Sequence, residues 1–313
     1  MFVRKLPAIL ATAGLLISLT ACTSVPPLAD CTPAGNALLV KASGPAGGDP
    51  AATFPTPLVA KSVEVADVVK GDGAAVGPDD AVAVSTSVYD GKSGSPLNTQ
   101  QGPLIAAGLL SFVNGQFPFT SAMACTTVGS RFVITGSAGD LFGPDSLGLD
   151  PTTTLVVVSD ITAGFPGQAD GVDQLPQSGF PSVVFTPRGQ PGFTFPATVP
   201  TELGVAALKQ GRGVTVQEGD DVFANVTGIV RGATSTFASS WDNQAPTPIL
   251  AQKLDADGSG VVAGLATAII GQQVGSRLLV VVPPSDGYPA GQEPSGVTAG
   301  DTLVFVVDIL EVK

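Results

Sequence analysis

Residues 274–312 read VGSRLLVVVPPSDGYPAGQEPSGVTAGDTLVFVVDILEV, and this stretch decides the fold. Its two apolar runs, 278–282 and 303–310, are rich in β-branched residues and bounded by Gly, Pro, Ser and Asp, so both read as strands. The long Pro- and Gly-rich loop between them carries Tyr288, one of only 2 tyrosines in the chain. A weaker copy lies upstream: Val128-Gly129-Ser130-Arg131 heads a run at 132–135, a loop carries Phe142, and Thr154-Leu155-Val156 opens an apolar run at 154–161. Recurrence of a strand, an aromatic-bearing loop and a strand at the spacing of a whole domain indicates duplication rather than a solenoid.

Working outward, the segment from 204 onward reads as one globular unit. Short strands are expected at 204–209 and 214–218, around Gly211-Arg212-Gly213. Residues 221–230 alternate as a half-exposed strand does. Further strands are expected at 236–240 and 247–252. Val261, Val262, Leu265, Ile269 and Ile270 fall at helical spacing before Gly271, which suits a helix over 261–271 with a glycine at its C-terminal end. One helix against many strands predicts an α+β unit in which a curved antiparallel sheet wraps the helix.

The upstream unit repeats the punctuation: Gly71-Asp72-Gly73 answers Gly211-Arg212-Gly213, and Asp79-Asp80 answers Asp220-Asp221. Strands are expected there at 63–69 and 81–88, and a short helix at 121–127. A strand candidate at 37–41 sits in a stretch of Pro, Gly, Ala, Ser and Thr that reads as a flexible tether. Residues 182–186 and Phe193-Thr194-Phe195-Pro196 are strand-like, the latter placed like Phe54-Pro55 in the upstream unit.

The chain has 313 residues, room for two ordinary domains. Its 14 Lys and Arg against 26 Asp and Glu give a net charge of −12, which repels nucleic acid and anionic membrane surfaces. Histidine is absent, which removes His-based triads, His-ligated zinc and imidazole proton shuttles together. No metal site is expected. Asp255-Ala256-Asp257-Gly258-Ser259-Gly260 starts like a calcium loop, but Ala266 stands where a bidentate Glu is needed, so a turn is expected. Asn225-Val226-Thr227 fits a glycosylation sequon in mid-strand and is not expected to be used.

The succession in the downstream unit is specific. Val226-Thr227-Gly228 is followed by Thr236-Phe237-Ala238-Ser239-Ser240, then Val261-Val262-Ala263-Gly264-Leu265, Val274-Gly275-Ser276-Arg277, Val282-Pro283-Pro284 with Tyr288, Gly296-Val297 and Thr302-Leu303-Val304-Phe305. It resembles the FKBP-type peptidyl-prolyl cis-trans isomerases over roughly residues 204–312, and residues 63–161 look like a degenerate copy. The resemblance implies two tandem FKBP-like domains, each a curved antiparallel sheet wrapped on one short helix: a degenerate one at 54–165, a linker at 166–190 and a second domain at 191–313. It implies isomerisation of X-Pro bonds without a cofactor, in an apolar pocket. Tyr288, Phe237, Phe305, Leu265 and Val262 would be catalytic there, and Val226, Val297 and Ala238 would bind substrate. Leu265 stands where the family usually has tryptophan, Val226 where it has tyrosine and Ala238 where it has aspartate. In the degenerate copy, Phe142 takes the place of Tyr288, Val157 that of Phe305, and Phe119 lies near the pocket floor. Expected partners are proline-containing exported polypeptides and macrolides. A non-catalytic chaperone or binding module, and a structural cell-envelope lipoprotein, remain alternatives.

The first residues read as an address. Arg4 and Lys5 precede an apolar segment at 6–19, a secretory signal over 1–21. Leu19-Thr20-Ala21-Cys22 resembles a bacterial lipobox, which implies lipidation of Cys22, a tether over 22–53 and a place on the extracytoplasmic face of the cell membrane, with the lipid as the only membrane contact. Of the 3 cysteines, Cys31 and Cys125 then remain in an oxidising compartment, and a disulfide between them is expected.

Overall fold

The computed structural model describes residues 35–99, 102–103, 109–112, 118–124, 126–144, 147–243 and 245–313. All three cysteines and the proposed leader lie outside them.

In the upstream part the strands are β1 (Lys41–Ser43), β2 (Ala51–Thr53), β3 (Glu64–Val69), β4 (Ala81–Asp90), β5 (Asn98–Thr99), β6 (Gly102–Pro103), β7 (Leu109–Phe112), β8 (Arg131–Ser137) and β9 (Thr154–Phe165), with helices α1 (Pro118–Met123) and α2 (Ala138–Phe142). Downstream come β10 (Val172–Asp173), β11 (Ser182–Phe185), β12 (Pro191–Thr194), β13 (Gly204–Gln210), β14 (Asp221–Val230), β15 (Thr236–Ser239), β16 (Thr247–Leu250), α3 (Ala263–Ile269), β17 (Arg277–Val282) and β18 (Leu303–Val312). β3-β8-β9-β4-β7 form a five-stranded sheet, and β10-β13-β17-β18-β14-β15 form a seven-stranded one in which β16 also pairs with β14. The named strands pair antiparallel. The β-branched runs thus become central strands: β17 is buried throughout, and β18 from Leu303 to Leu310.

The two sheets share register as well as order. Arg131 faces Asp160 across β8–β9, and Arg277 faces Asp308 across β17–β18. β3 is irregular between Asp67 and Val69 and β13 between Ala207 and Lys209. β4 is irregular between Ala83 and Val84 and β14 between Phe223 and Ala224. Gly71 and Gly211 lie so close to the Val128 and Val274 carbonyls that a Cβ at either would collide. Each donates its N–H to a serine hydroxyl, Ser130 Oγ or Ser276 Oγ, at 3.0 Å. The acidic turns match one residue away from the expected alignment: Asp80 Oδ2 accepts the Gly77 N–H and Asp220 Oδ2 the Gln217 N–H, both at 2.7 Å.

Several expectations need correction. The segment expected to be a tether is folded from residue 35 onward: a 3-10 helix, Gly35–Leu39, replaces the strand expected at 37–41, and β1 and β2 form a hairpin. This segment packs Ala37, Val40 and Leu58 on Ala66, Val133, Val156 and Val158, the convex face of the first sheet. The residues expected to be linker behave the same way. Phe180, Val183 and Phe185, with Phe193 and Phe195, cover Ala206, Ile229, Leu279, Val281, Val304 and Val306 on the second sheet. Pro- and Gly-rich composition suggested flexibility, but the exposed convex faces were apolar and needed a cover. The buried ion pairs fasten both covers. Arg131 donates to the Gly44 and Pro45 carbonyls at 3.0 and 2.9 Å, while Asp160 Oδ2 accepts the Gly47 N–H at 2.7 Å. Asp308 Oδ2 accepts the Ala169 N–H at 3.0 Å, and the Arg277 guanidinium lies 4.1 Å over the Phe185 ring.

Other departures are local. The first sheet carries two short helices rather than one; α2, which contains Phe142, is capped by Ser137 Oγ accepting the Asp140 N–H at 3.0 Å. Residues 214–218 form a single bridge, Thr215 to Gln273, instead of a strand. The helix over 121–127 lies earlier, as α1. Between the sheets, Phe165 stacks on Phe223 at 5.6 Å and 5°, in a cluster with Ala81, Ala83 and Leu310, against which Trp241 packs.

Candidate functional site

The concave face of the second sheet builds a cavity. β14 places Val226 and Gly228 on that face, and Gly228 pairs with Phe305 of β18. The absence of a side chain at 228 admits an aromatic ring: a Cβ there would lie 2.6 Å from Phe237 Cζ and 2.9 Å from Phe305 Cε1. Phe237 therefore meets Phe305 edge-on at 5.7 Å and 88°, and Tyr288 at 6.3 Å and 79°. Edge-to-face contacts of this kind hold rings in fixed orientation. α3 crosses the same face. Its N-cap Val262 and its Leu265, only 3% exposed, form the inner wall.

Together these side chains enclose a cavity of about 290 Å³, lined among others by Val226, Ala238, Val262, Leu265, Tyr288 and Phe305. Of the eight expected pocket residues these six line the cavity. Phe237 stands behind Tyr288 and Phe305, and Val297 packs against the surrounding core. The rest of the wall was not among the expected site residues: Ser239 and Ser240 follow Ala238, and Asn243, Thr247, Ile249, Leu254, Gly260 and Val261 come from the stretch between β15 and α3. Thr247, Ile249 and Val261 fall in elements the sequence does suggest, but nothing in the spacing of that stretch ties it to the cavity.

Among the described residues, Tyr288 is the only titratable one in the lining. Burial pushes its phenol above the usual value of 10.0, so the hydroxyl stays protonated at neutral pH. It makes no hydrogen bond among the described residues, and so is free to donate. Trp241 lies in the cluster between the two sheets rather than at the cavity floor. Asp255 Oδ1 accepts the Asp257 and Ser259 N–H groups at 3.0 and 2.9 Å, closing the expected turn.

On the first sheet the corresponding face is occupied by its own rings. Phe119, 3% exposed, packs 4.7 Å from Phe142 and 6.3 Å from Phe132, beside buried Met123 and Leu141.

The family described as FKBP-type peptidyl-prolyl cis-trans isomerase matches residues 213–310. A "Probable FK506-binding protein" of Corynebacterium glutamicum is 30% identical over 112 residues, which cover 36% of this chain and 87% of the relative. The "FK506-binding protein 2B" of Rhizopus delemar is 33% identical over 98 residues, covering 30% of this chain but only 43% of that protein. Among solved structures, FkpA from Escherichia coli is similar at 23% identity with a TM-score of 0.32, over 44% of this chain and 53% of that one. The three FKBP domains of wheat FKBP73 are similar at 16% identity and a TM-score of 0.31, over 80% of this chain and 95% of that one.

Proposed function

The chain belongs to the FKBP-type peptidyl-prolyl cis-trans isomerase family, and from that premise we propose that its second sheet forms an FKBP-like domain that isomerises X-Pro bonds in the Tyr288 cavity. The observation that carries this reading is a largely apolar cavity of about 290 Å³ with the unpartnered phenol of Tyr288 at its wall, near the buried, unpartnered Ser239 hydroxyl. Rotation about an X-Pro bond faces a barrier of about 18–20 kcal/mol because amide resonance must break, yet no bond is made or cut. An apolar wall favours the twisted amide, which is less dipolar than the planar one and loses less on leaving water. The Tyr288 hydroxyl donates to a substrate carbonyl as the amide twists, a fixed donor that needs no reorganisation. Val262, Leu265 and Phe305 hold the prolyl ring, Phe237 braces Tyr288 and Phe305, Val226 and Ala238 meet the flanking chain, and Val297 supports the wall.

The first sheet is, on this reading, a degenerate FKBP-like domain whose concave face is filled by Phe119 and Phe142 and which acts as a scaffold. The leader and lipobox support export and lipidation at Cys22, with proline-containing exported polypeptides as substrates, macrolides as further ligands and a Cys31–Cys125 disulfide. Intact mass before and after reduction reports the lipid and the disulfide together; two alkylatable thiols in the untreated protein exclude the bridge.

A second reading, binding without turnover, is favoured by one observation: among the described residues the cavity lining includes no carboxylate. A proline-isomerisation assay on the full chain separates the two. Acceleration that disappears in Ala238→Trp, a change at an exposed position on the cavity wall, supports catalysis. Peptide binding with no acceleration supports the second reading and ends the first.

A further inference from the structure

We infer that the cavity selects prolines flanked by basic residues, an inference that rests on the cavity receiving a prolyl ring. A cavity of roughly 150 Å³ accommodates benzene, so about 290 Å³ holds a prolyl ring together with part of a neighbouring residue. The rest of an extended substrate must leave across the rim, advancing about 3.3 Å per residue.

Three loops that also line the cavity border it: 241–243 through Asn243, 251–260 through Leu254 and the backbone of Gly260, and 284–293 through Tyr288. Each loop carries a carboxylate with no hydrogen bond or ion pair among the described residues, namely Asp242, Asp257 and Asp286. Asp255 and Glu293 add charge on the same loops, although Asp255 closes its turn and Glu293 Oε2 accepts the Gly291 N–H at 2.7 Å. Lys253 is the sole cation on these loops.

Three other cations of this half are engaged elsewhere. Arg277 is buried against Asp308, Lys209 pairs with Asp173, and Arg231 donates to the Ala197 carbonyl. Charges of one sign around a low-dielectric cavity focus the field at its mouth and raise the local concentration of the opposite charge. A substrate lysine or arginine one or two positions from the proline meets unpaired carboxylates, and a glutamate meets repulsion.

The test compares three otherwise identical X-Pro peptides carrying Lys, Ala or Glu beside the proline, assayed with the full chain. The expected kcat/KM order is Lys, Ala, Glu, with the extremes about tenfold apart at low ionic strength. The spread should collapse at about 1 M salt, where the screening length is near 3 Å. The triple variant Asp242→Asn, Asp257→Asn, Asp286→Asn should erase the order. Acceleration of the Ala peptide with equal rates for Lys and Glu overturns this inference and leaves the catalytic reading standing. Retention of the preference in the triple variant also overturns it. Failure to accelerate any of the three removes the catalytic reading and this inference with it.

Discussion

At the scale of single residues, the site turns on a hydroxyl and a missing side chain. Tyr288 is the only lining residue that donates from a titratable group, and burial raises its pKa above 10.0. A raised phenol pKa has a definite sign. The protonated phenol stabilises the fold below the unfolded value of 10.0, and that contribution is lost as pH rises through the folded value. Isomerase activity should therefore stay level through neutral and mildly alkaline pH and fall only beyond about 10. Tyr288→Phe should lose roughly tenfold in kcat/KM, the worth of one neutral hydrogen bond, with little change in stability. A stopped-flow pH profile of both proteins checks the pair; a decline near neutrality, or full activity in the phenylalanine variant, removes Tyr288 as the donor. Gly228 is the complementary case, because Phe237 occupies the space of its absent Cβ. Gly228→Ala should push Phe237 away from Phe305 and Tyr288 and cost about 1–3 kcal/mol by overpacking, read from denaturant midpoints. Unchanged stability would mean that the aromatic cluster yields freely. Tyr288, Phe305 and Leu265 were legible in the sequence because they sit in ordered motifs between β-branched runs. Leu254 and Thr247 were not, because their only link to the site is spatial.

At the scale of elements, what composition concealed is that the two hairpins cover the sheets. β1 and β2 are three residues long, too short to show a period, while β11 and β12, four residues each, read as strand-like but not as a cover for the second sheet. What fixes them is distant in sequence: Arg131 holds Gly44 and Pro45, and Arg277 holds Phe185. Long strands such as β14 were legible because alternation and burial coincide over ten residues. The Asp160 carboxylate also keeps the Arg131 guanidinium above its usual range, chiefly through their hydrogen bonds. Removing one member of such a pair strands the other. Asp308→Ala would leave Arg277, 4% exposed, without its carboxylate and Ala169 without its acceptor. The expected cost is about 3–5 kcal/mol, with faster amide exchange across residues 182–194 as the hairpin loosens. A loss under about 1 kcal/mol would place the pair with solvent-screened surface bridges. Replacing both partners with apolar residues of similar volume should recover much of the stability, because the desolvation cost vanishes with the charges.

At the scale of the whole molecule, the question is whether the two sheets unfold together. Each has its own core, Val82, Phe132, Leu155 and their neighbours in one, Leu278, Val307, Ile309 and theirs in the other. Alone, such cores would give two separate transitions. The chain joins them through a small apolar cluster in which Phe165 at the end of β9 stacks on Phe223 of β14, next to Leu310 and Trp241. Asn225 adds a polar tie, donating from Nδ2 to the Gly167 carbonyl at 2.7 Å in the segment that leaves β9. Phe223 lies between Val222 and Ala224, both in the core on the cavity side, so strand alternation turns its ring to the opposite face, where it serves the contact. A stacked aromatic pair is worth about 0.5–1.5 kcal/mol beyond the area it buries. That is enough to couple two units of similar stability but not to hold together units of very different stability. Phe223→Ala should therefore split a single calorimetric transition of the full chain into two, lowering the first by several degrees while leaving isomerase activity at the Tyr288 cavity in place. A wild-type chain that already melts in two well-separated steps would show instead that the stacked rings set the relative position of the sheets without linking their stability.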